Sequence, residues 1–141
     1  DCEARSMTFL DTSYLIALAR QEDALHDRAV AWSRCLPGPF VTTEHVLCEF
    51  MNAMSGIADR PAAHLLLDSL RSHSHIETVW AAPGIWQAGL ELHRNREDKT
   101  WSLTDCISFH IMNQRDILQA LTHDHHFEQA GFRALLREDA P

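Results

Sequence analysis

Four carboxylates stand out by where they fall in the chain. Asp11 ends the short apolar run Met7-Thr8-Phe9-Leu10, and Thr12 and Ser13 then open an apolar helical pattern. Asp124 ends a second apolar run, Ile117 to Leu121, after Thr122 and His123. Glu49 lies inside a helical stretch, with His45, Val46, Asn52 and Ala53 as its neighbours three and four residues away. Asp105 lies three residues after Ser102, at the start of the most apolar helical pattern in the chain. Asp98, in the polar connector just before that helix, is a fifth candidate. Acids gathered at one place repel one another unless cations sit between them, and oxygen-only ligands suit Mg²⁺ or Mn²⁺. Two such ions about 3.5–4 Å apart can activate water and stabilise the leaving oxygen of a phosphodiester. No serine, cysteine or histidine nucleophile is then required.

Each acid also has an ordinary structural role open to it. Asp11 and Asp124 could cap the helices that follow them. Asp105 could be the acidic half of a capping box with Ser102. Glu49 borders an expected buried stripe of Val46, Phe50 and Ala53, so it needs a partner, a cation or a wet cleft. Asp98, in a polar loop, fits a solvated acid. What separates the two sets of roles is whether the fold returns the acids to one edge.

The pattern of elements predicts that it does. Thr8–Leu10, Phe40–Thr42, Ile76–Trp80, Ile117–Leu121 and Phe132–Leu136 read as strands. Helical patterns run between them from Thr12, over Ala24–Trp32, Glu44–Met54, Ala62–Leu70, Gly84–Arg94 and Ser102–Asn113, with a short turn at His125–Gln129. Pro61 and Pro83 sit where first-turn prolines belong. Alternating strands and helices imply a parallel sheet covered on both faces, with right-handed crossovers. In such sheets the carboxyl ends of the strands form one crevice, which would receive Asp11, Thr42 and Asp124.

The 141 residues are enough for one domain with a proper core, residues 7–136, flanked by an arm at 1–6 and a tail at 137–141. The arm precedes a methionine and joins no pattern, as a cloning remnant or a frayed native arm would. Apolar residues at 45% and charged residues at 23% describe a globular chain rather than a disordered one. No apolar run approaches the roughly 18–20 residues of a membrane span. The four cysteines, Cys2, Cys35, Cys48 and Cys106, have no paired spacing, and Cys48 and Cys106 lie within apolar helical patterns. A reducing, cytoplasmic setting is expected. A net charge of −8 argues against a general nucleic-acid coat but not against a site that holds cations.

Phe9-Leu10-Asp11-Thr12-Ser13, the helix carrying Glu49, Trp101-Ser102-Leu103-Thr104-Asp105-Cys106 and the run from Leu121-Thr122-His123-Asp124 to Gly131-Phe132 together resemble the PIN-domain family. The resemblance spans about Met7 to Leu135, and its last two segments look most like the VapC-type ribonucleases of toxin–antitoxin pairs. It implies a three-layer α/β/α domain with a central parallel sheet, acting as a Mg²⁺- or Mn²⁺-dependent endoribonuclease. On this resemblance Asp11, Glu49, Asp105 and Asp124 form the site, Asp98 adds a further acid, and Ser13 and Thr122 support the carboxylates. It also implies a homodimer and a cognate antitoxin whose C-terminal segment covers the groove. The acidic overall charge departs from the pattern and leaves the RNA-binding face undefined. Arg94, Arg96, Lys99 and Arg115 are the candidates for phosphate contacts, each with a solvated surface role as its alternative.

Other classes fit less well. His123-Asp124-His125-His126 and His26-Asp27 look like metal-binding clusters, but neither has the i, i+4 helical spacing of a zinc pair. A phosphatase using Asp11 as nucleophile would want a second aspartate where Ser13 stands, and no Gly-rich phosphate loop is present. A non-catalytic PIN-like module that binds RNA or protein, and a housekeeping PIN nuclease without an antitoxin, remain as alternatives.

Overall fold

The computed structural model describes residues 6–141, so the expected arm lies outside the described residues except for Ser6. Five strands form one parallel sheet in the order β3-β2-β1-β4-β5: β1 Thr8–Leu10, β2 Phe40–Thr43, β3 Ile76–Val79, β4 Gln119–Leu121 and β5 Arg133–Ala134. The helices are α1 Thr12–Ala19, α2 His26–Cys35, α3 Glu44–Ala53, α4 Arg60–Ser72, α5 Pro83–Asn95, α6 Leu103–Gln114 and α7 His125–Gln129. From β1 the chain moves outward through β2 to β3, then returns to the other side of β1 for β4 and β5. The order therefore reverses between β1 and β4, which is where open parallel sheets open a crevice beyond their carboxyl ends.

The centre of the sheet is buried on both faces. All three residues of β1 are buried, as are Ala120 and Leu121 of β4. α6 is the most enclosed helix, with Asp105, Cys106, Ile107, Ser108, Phe109, Ile111 and Met112 all buried, as its apolar residues on more than one face predict. It lies against α5 at Gly89, where an added Cβ would fall 2.5 Å from Ile107 Cγ1. Only a glycine allows that approach.

An aromatic cluster ties the chain segments beneath the crevice. Phe109 of α6 meets Trp101 edge-on at 5.0 Å and Phe127 of α7 at 4.9 Å between ring centroids. Phe132 lies 5.7 Å from Phe109 on another side, and Trp101 Nε1 donates to Gln129 Oε1 at 2.9 Å. The two most specific segments of the sequence therefore pack on each other. Gly131, with φ of +94°, supplies the left-handed residue that turns the chain after α7.

Several expected boundaries move, each for a local reason. α2 starts at His26 rather than Ala24, because Asp23 Oδ1 accepts the Leu25 amide at 2.8 Å and holds a turn there. The expected strand Phe132–Leu136 shortens to β5 and gives way to a 3-10 turn, Leu135–Arg137. In that turn both leucines are buried, and the Leu136 amide bonds the Thr122 carbonyl at 3.1 Å. The tail is docked on α2: Trp32 Nε1 donates to the Glu138 carbonyl at 3.0 Å, and Arg28 reaches Asp139 at 2.8 Å. Among the described residues, no helix is long and apolar enough to cross a membrane.

Candidate active site

The register of β1 and β4 builds the first half of the site. Leu10 pairs with Leu121, so the next residues, Asp11 and Thr122, meet side by side as the strands end. The Asp11 amide still bonds the Leu121 carbonyl at 3.2 Å, and Thr122 Oγ1 donates to Asp11 Oδ2 at 2.7 Å. Ser13 Oγ stands 3.3 Å from Thr122 Oγ1 and accepts the His123 amide at 3.1 Å. Because the Thr122 proton goes to Asp11, Ser13 donates to Thr122, and the Asp124 amide donates to Thr122 at 3.0 Å as well. A chain of donors thus runs from backbone through two hydroxyls to one carboxylate. On the far side of β1, Thr42 Oγ1 donates to the Leu10 carbonyl at 2.9 Å.

Asp11 occupies the cap position of α1 but makes no capping bond. It is buried, with 5% of its surface exposed. Burial, opposed by the Thr122 hydroxyl and the Thr12 amide, pushes its carboxyl up to about 7. Asp105 and Glu49 are near enough for their charges to push the same way.

Asp105 arrives from the start of α6 through a complete capping box. Ser102 Oγ accepts the Asp105 amide at 3.0 Å, and Asp105 Oδ2 accepts the Ser102 amide at 3.1 Å. Asp124 caps α7, its Oδ1 accepting the His126 amide at 2.9 Å. Both capping roles are therefore present, and neither removes the acid from the crevice. The His126 ring lies between the two acids, with Nδ1 3.2 Å from Asp105 Oδ2 and 3.3 Å from Asp124 Oδ1. Each acid commits one oxygen to protein donors, while Asp105 Oδ1 and Asp124 Oδ2 take no hydrogen bond from the described residues.

Glu49 differs from the expectation. The buried residues of α3 are Val46, Leu47 and Phe50, with Met54 just beyond it, and Ala53 is exposed. The buried stripe is thus turned away from Glu49, which is exposed and lines a cavity of about 290 Å³ with His45, Cys48, Asn52 and Thr104. Cys48, expected as a small hydrophobe, is exposed there too, whereas Cys106 is buried.

Among the described residues, no lysine or arginine pairs with Asp11, Glu49, Asp105 or Asp124. Asp98 is placed otherwise. It is exposed, forked by Arg96 at 3.0 and 3.2 Å, with Lys99 at 3.7 Å, and Arg96 holds its carboxyl down at about 2. The guanidinium of Arg96 also lies over Trp101 at 4.8 Å, and Arg115 pairs with Glu77 at 2.7 Å. Of the four candidate phosphate contacts, Arg94 alone has no ion pair among the described residues. His26 is structural, with Nδ1 bonded to the Ala17 carbonyl at 2.7 Å.

The PIN domain profile matches residues 8–133, a stretch that includes every element of this site. The chain belongs to the PIN-domain family. This PIN domain is 26% identical over 126 residues to the 23S rRNA-specific endonuclease VapC20 of Mycobacterium tuberculosis, in strains CDC 1551 / Oshkosh and H37Rv. The match covers 89% of this chain and 95% of VapC20. The crystal structure of that sarcin–ricin-loop-cleaving toxin superposes with a TM-score of 0.82 at 25% identity, covering 89% of this chain and 95% of the other. FitAcB from Neisseria gonorrhoeae shares the fold, with a TM-score of 0.66 at 15% identity over 91% of this chain and 95% of the other.

The residue that sequence reasoning passed over is His126. The HDHH run reads in the sequence only as a cluster without zinc spacing, yet the His126 ring lies between two acids. The ligand atoms of Asp124, His125 and His126 also lie within 4.8 Å of one another.

Proposed function

We propose that this PIN domain is a divalent-metal-dependent endoribonuclease and the toxin of a toxin–antitoxin pair. The observation that carries the reading is the set of acids at the β1/β4 switch point, oriented by neutral donors and paired with no lysine or arginine among the described residues. Neutral donors orient carboxylates without cancelling their charge, so the site is built for a cation from solution. Asp11, Glu49, Asp105 and Asp124 would hold it, with free oxygens on Asp105 and Asp124 turned to that use. Hard oxygen donors fit Mg²⁺ or Mn²⁺. When bound, such an ion supplies an activated water and stabilises charge on the leaving oxygen of a phosphodiester.

The protein's own residues set the geometry of this step. Thr122 and Ser13 hold Asp11 in place, the capping box fixes Asp105 at the head of α6, and α7 presents Asp124. Glu49 stands exposed on α3, near enough for its charge to bear on Asp11. Likeness to VapC20 makes 23S ribosomal RNA the first substrate class to test, and the toxin reading carries with it a homodimer and a protein antitoxin.

The test is cleavage of a panel of RNAs, including 23S rRNA and transfer RNA, with Mg²⁺ or Mn²⁺ against chelator, beside Asp11→Asn. Metal-dependent cutting that disappears in the variant is the expected result. Equal cutting by both proteins, or cutting that persists in chelator, overturns the reading.

A further inference from the structure

The acids of the site come from separate stretches of chain, and Asp105 and Asp124 are joined by one group only. Among the described residues, the His126 ring is the single side chain that contacts both. It is well placed to do so. His126 is the second residue of α7, and its amide already bonds Asp124 Oδ1, which seats the ring over that carboxylate. The side chain is 17% exposed, and its far nitrogen, Nε2, lies 3.3 Å from Thr100 Oγ1 in the connector leading to α6. Both neighbours of Nδ1 are acceptors, so Nδ1 carries the proton, and Nε2 accepts from the Thr100 hydroxyl. A neutral imidazole makes both ring hydrogen bonds, to Asp105 and to Thr100.

We propose that His126 is a positioning residue of the nuclease site, its Nδ1–H donated to Asp105 Oδ2 with the same nitrogen 3.3 Å from Asp124 Oδ1, so that the opposite oxygens face the cation. The inference rests on the metal-dependent reading given above. Without the ring the two carboxylates repel each other across the gap, and each is left with a single backbone donor. The hydrogen bond at Nδ1 fixes the Asp105 carboxylate beside Asp124 before an ion arrives, much as outer partners orient metal-binding groups elsewhere, where their loss costs about 10–100-fold in metal affinity or activity. The rival role, direct ligation by nitrogen together with His125, needs the same ring but a different property of it: a lone pair rather than an N–H.

Three substitutions separate these roles. In His126→Asn the amide Nδ2 falls near the position of Nδ1, so the donor is kept. In His126→Gln the amide falls nearer the position of Nε2, so the donor is displaced. His126→Ala removes both. Mn²⁺ affinity measured by the EPR signal of the free ion, kcat and KM on the cleaved RNA, and the Tm in chelator are read for each. The expected result is Mn²⁺ binding weakened about 10–100-fold in Ala and Gln and restored to within about threefold of wild type in Asn. Cleavage lost at limiting Mn²⁺ should recover toward wild type at saturating Mn²⁺, with KM for RNA unchanged. If Ala does not fold, the contrast between Asn and Gln carries the test. Unchanged Mn²⁺ affinity in Ala or Gln overturns the inference, and so does an Asn variant as weak as Gln, which would assign the ring to the metal itself. Wild-type protein that binds no Mn²⁺ overturns the functional reading and this inference with it, whereas wild-type binding matched by Ala overturns this inference alone.

Discussion

Replacing Asp11 by Asn should remove cleavage and, in the absence of metal, make the protein more stable at neutral pH. Asp11 is buried, and its carboxyl is pushed from 3.8 to about 7, first by burial and then by the charges of Asp105 and Glu49. A carboxyl raised on folding stabilises the fold while it is neutral. That contribution is complete below about pH 4 and is lost as the pH climbs through 7. At about 1.4 kcal/mol per pH unit, the full loss is about 4 kcal/mol. Asparagine cannot ionise, and its carbonyl can still accept the Thr122 hydroxyl, but its amide protons have no evident acceptor at that place, a cost of about 1–3 kcal/mol. The variant should therefore be less stable than wild type near pH 4.5 and more stable by about 1–3 kcal/mol near pH 7.5. At this chain length that gain is a Tm higher by roughly 3–9 °C. The assay is thermal or urea unfolding of both proteins in chelator across this pH range, followed by saturating Mg²⁺ at pH 7.5. The ion should stabilise wild type more than the variant, because it binds the native carboxylate. A difference between the two proteins that stays flat from pH 4.5 to 7.5 would refute the reasoning, whatever happened to cleavage.

Two further substitutions test how the site is held. Gly89→Ala places a methyl group 2.5 Å from Ile107 Cγ1, so α5 and α6 must separate. The gain in helix propensity of up to about 1 kcal/mol is outweighed by overpacking of about 1–3 kcal/mol, and a lower Tm together with a loss of kcat, as α6 carries Asp105 off position, is expected. An unchanged Tm and kcat would show that the helices yield freely. Ser102→Ala removes the hydroxyl that accepts the Asp105 amide and should cost about 1 kcal/mol, measured by urea unfolding. Its Mn²⁺ affinity should fall less than that of His126→Ala, since the ring still holds the Asp105 carboxylate.

The parts of the site that sit on strand ends were legible from local pattern, and those that depend on packing angles were not. Asp11 and Asp124 follow apolar runs, so a parallel sheet sets both at one edge, while the register that brings Asp11 to Thr122 comes from the pairing of Leu10 with Leu121 in the structure. Ser102 and Asp105 announce a capping box in the sequence alone. Glu49 is the instructive miss. The expected stripe of Val46, Phe50 and Ala53 put it beside the core, but Leu47 and Met54 are buried instead of Ala53. At roughly 100° per residue, that change swings the buried face away from Glu49 and leaves it in the open cleft. Nothing in the spacing of α3 distinguishes the two stripes, because the choice is made by what α1, α4 and α6 present to it. His126 was illegible for a similar reason: its partner Asp105 lies on another helix, and tertiary packing, led by Trp101, Phe109 and Phe127, brings the two together.

The distribution of basic residues gives the site its logic. Among the described residues, arginine and lysine pair with Asp59, Glu77, Asp98, Glu128, Glu138 and Asp139, all outside the cluster. Inside it, the donors are a threonine hydroxyl, backbone amides and an imidazole. An arginine in that place would neutralise the acids permanently and compete with any cation for the same oxygens. Hydroxyls and amides orient the acids and leave the charge standing, at a cost that shows in the raised carboxyl of Asp11. Asp98, forked by Arg96, carries the other arrangement. There the acid is met at the surface by a guanidinium rather than by neutral donors.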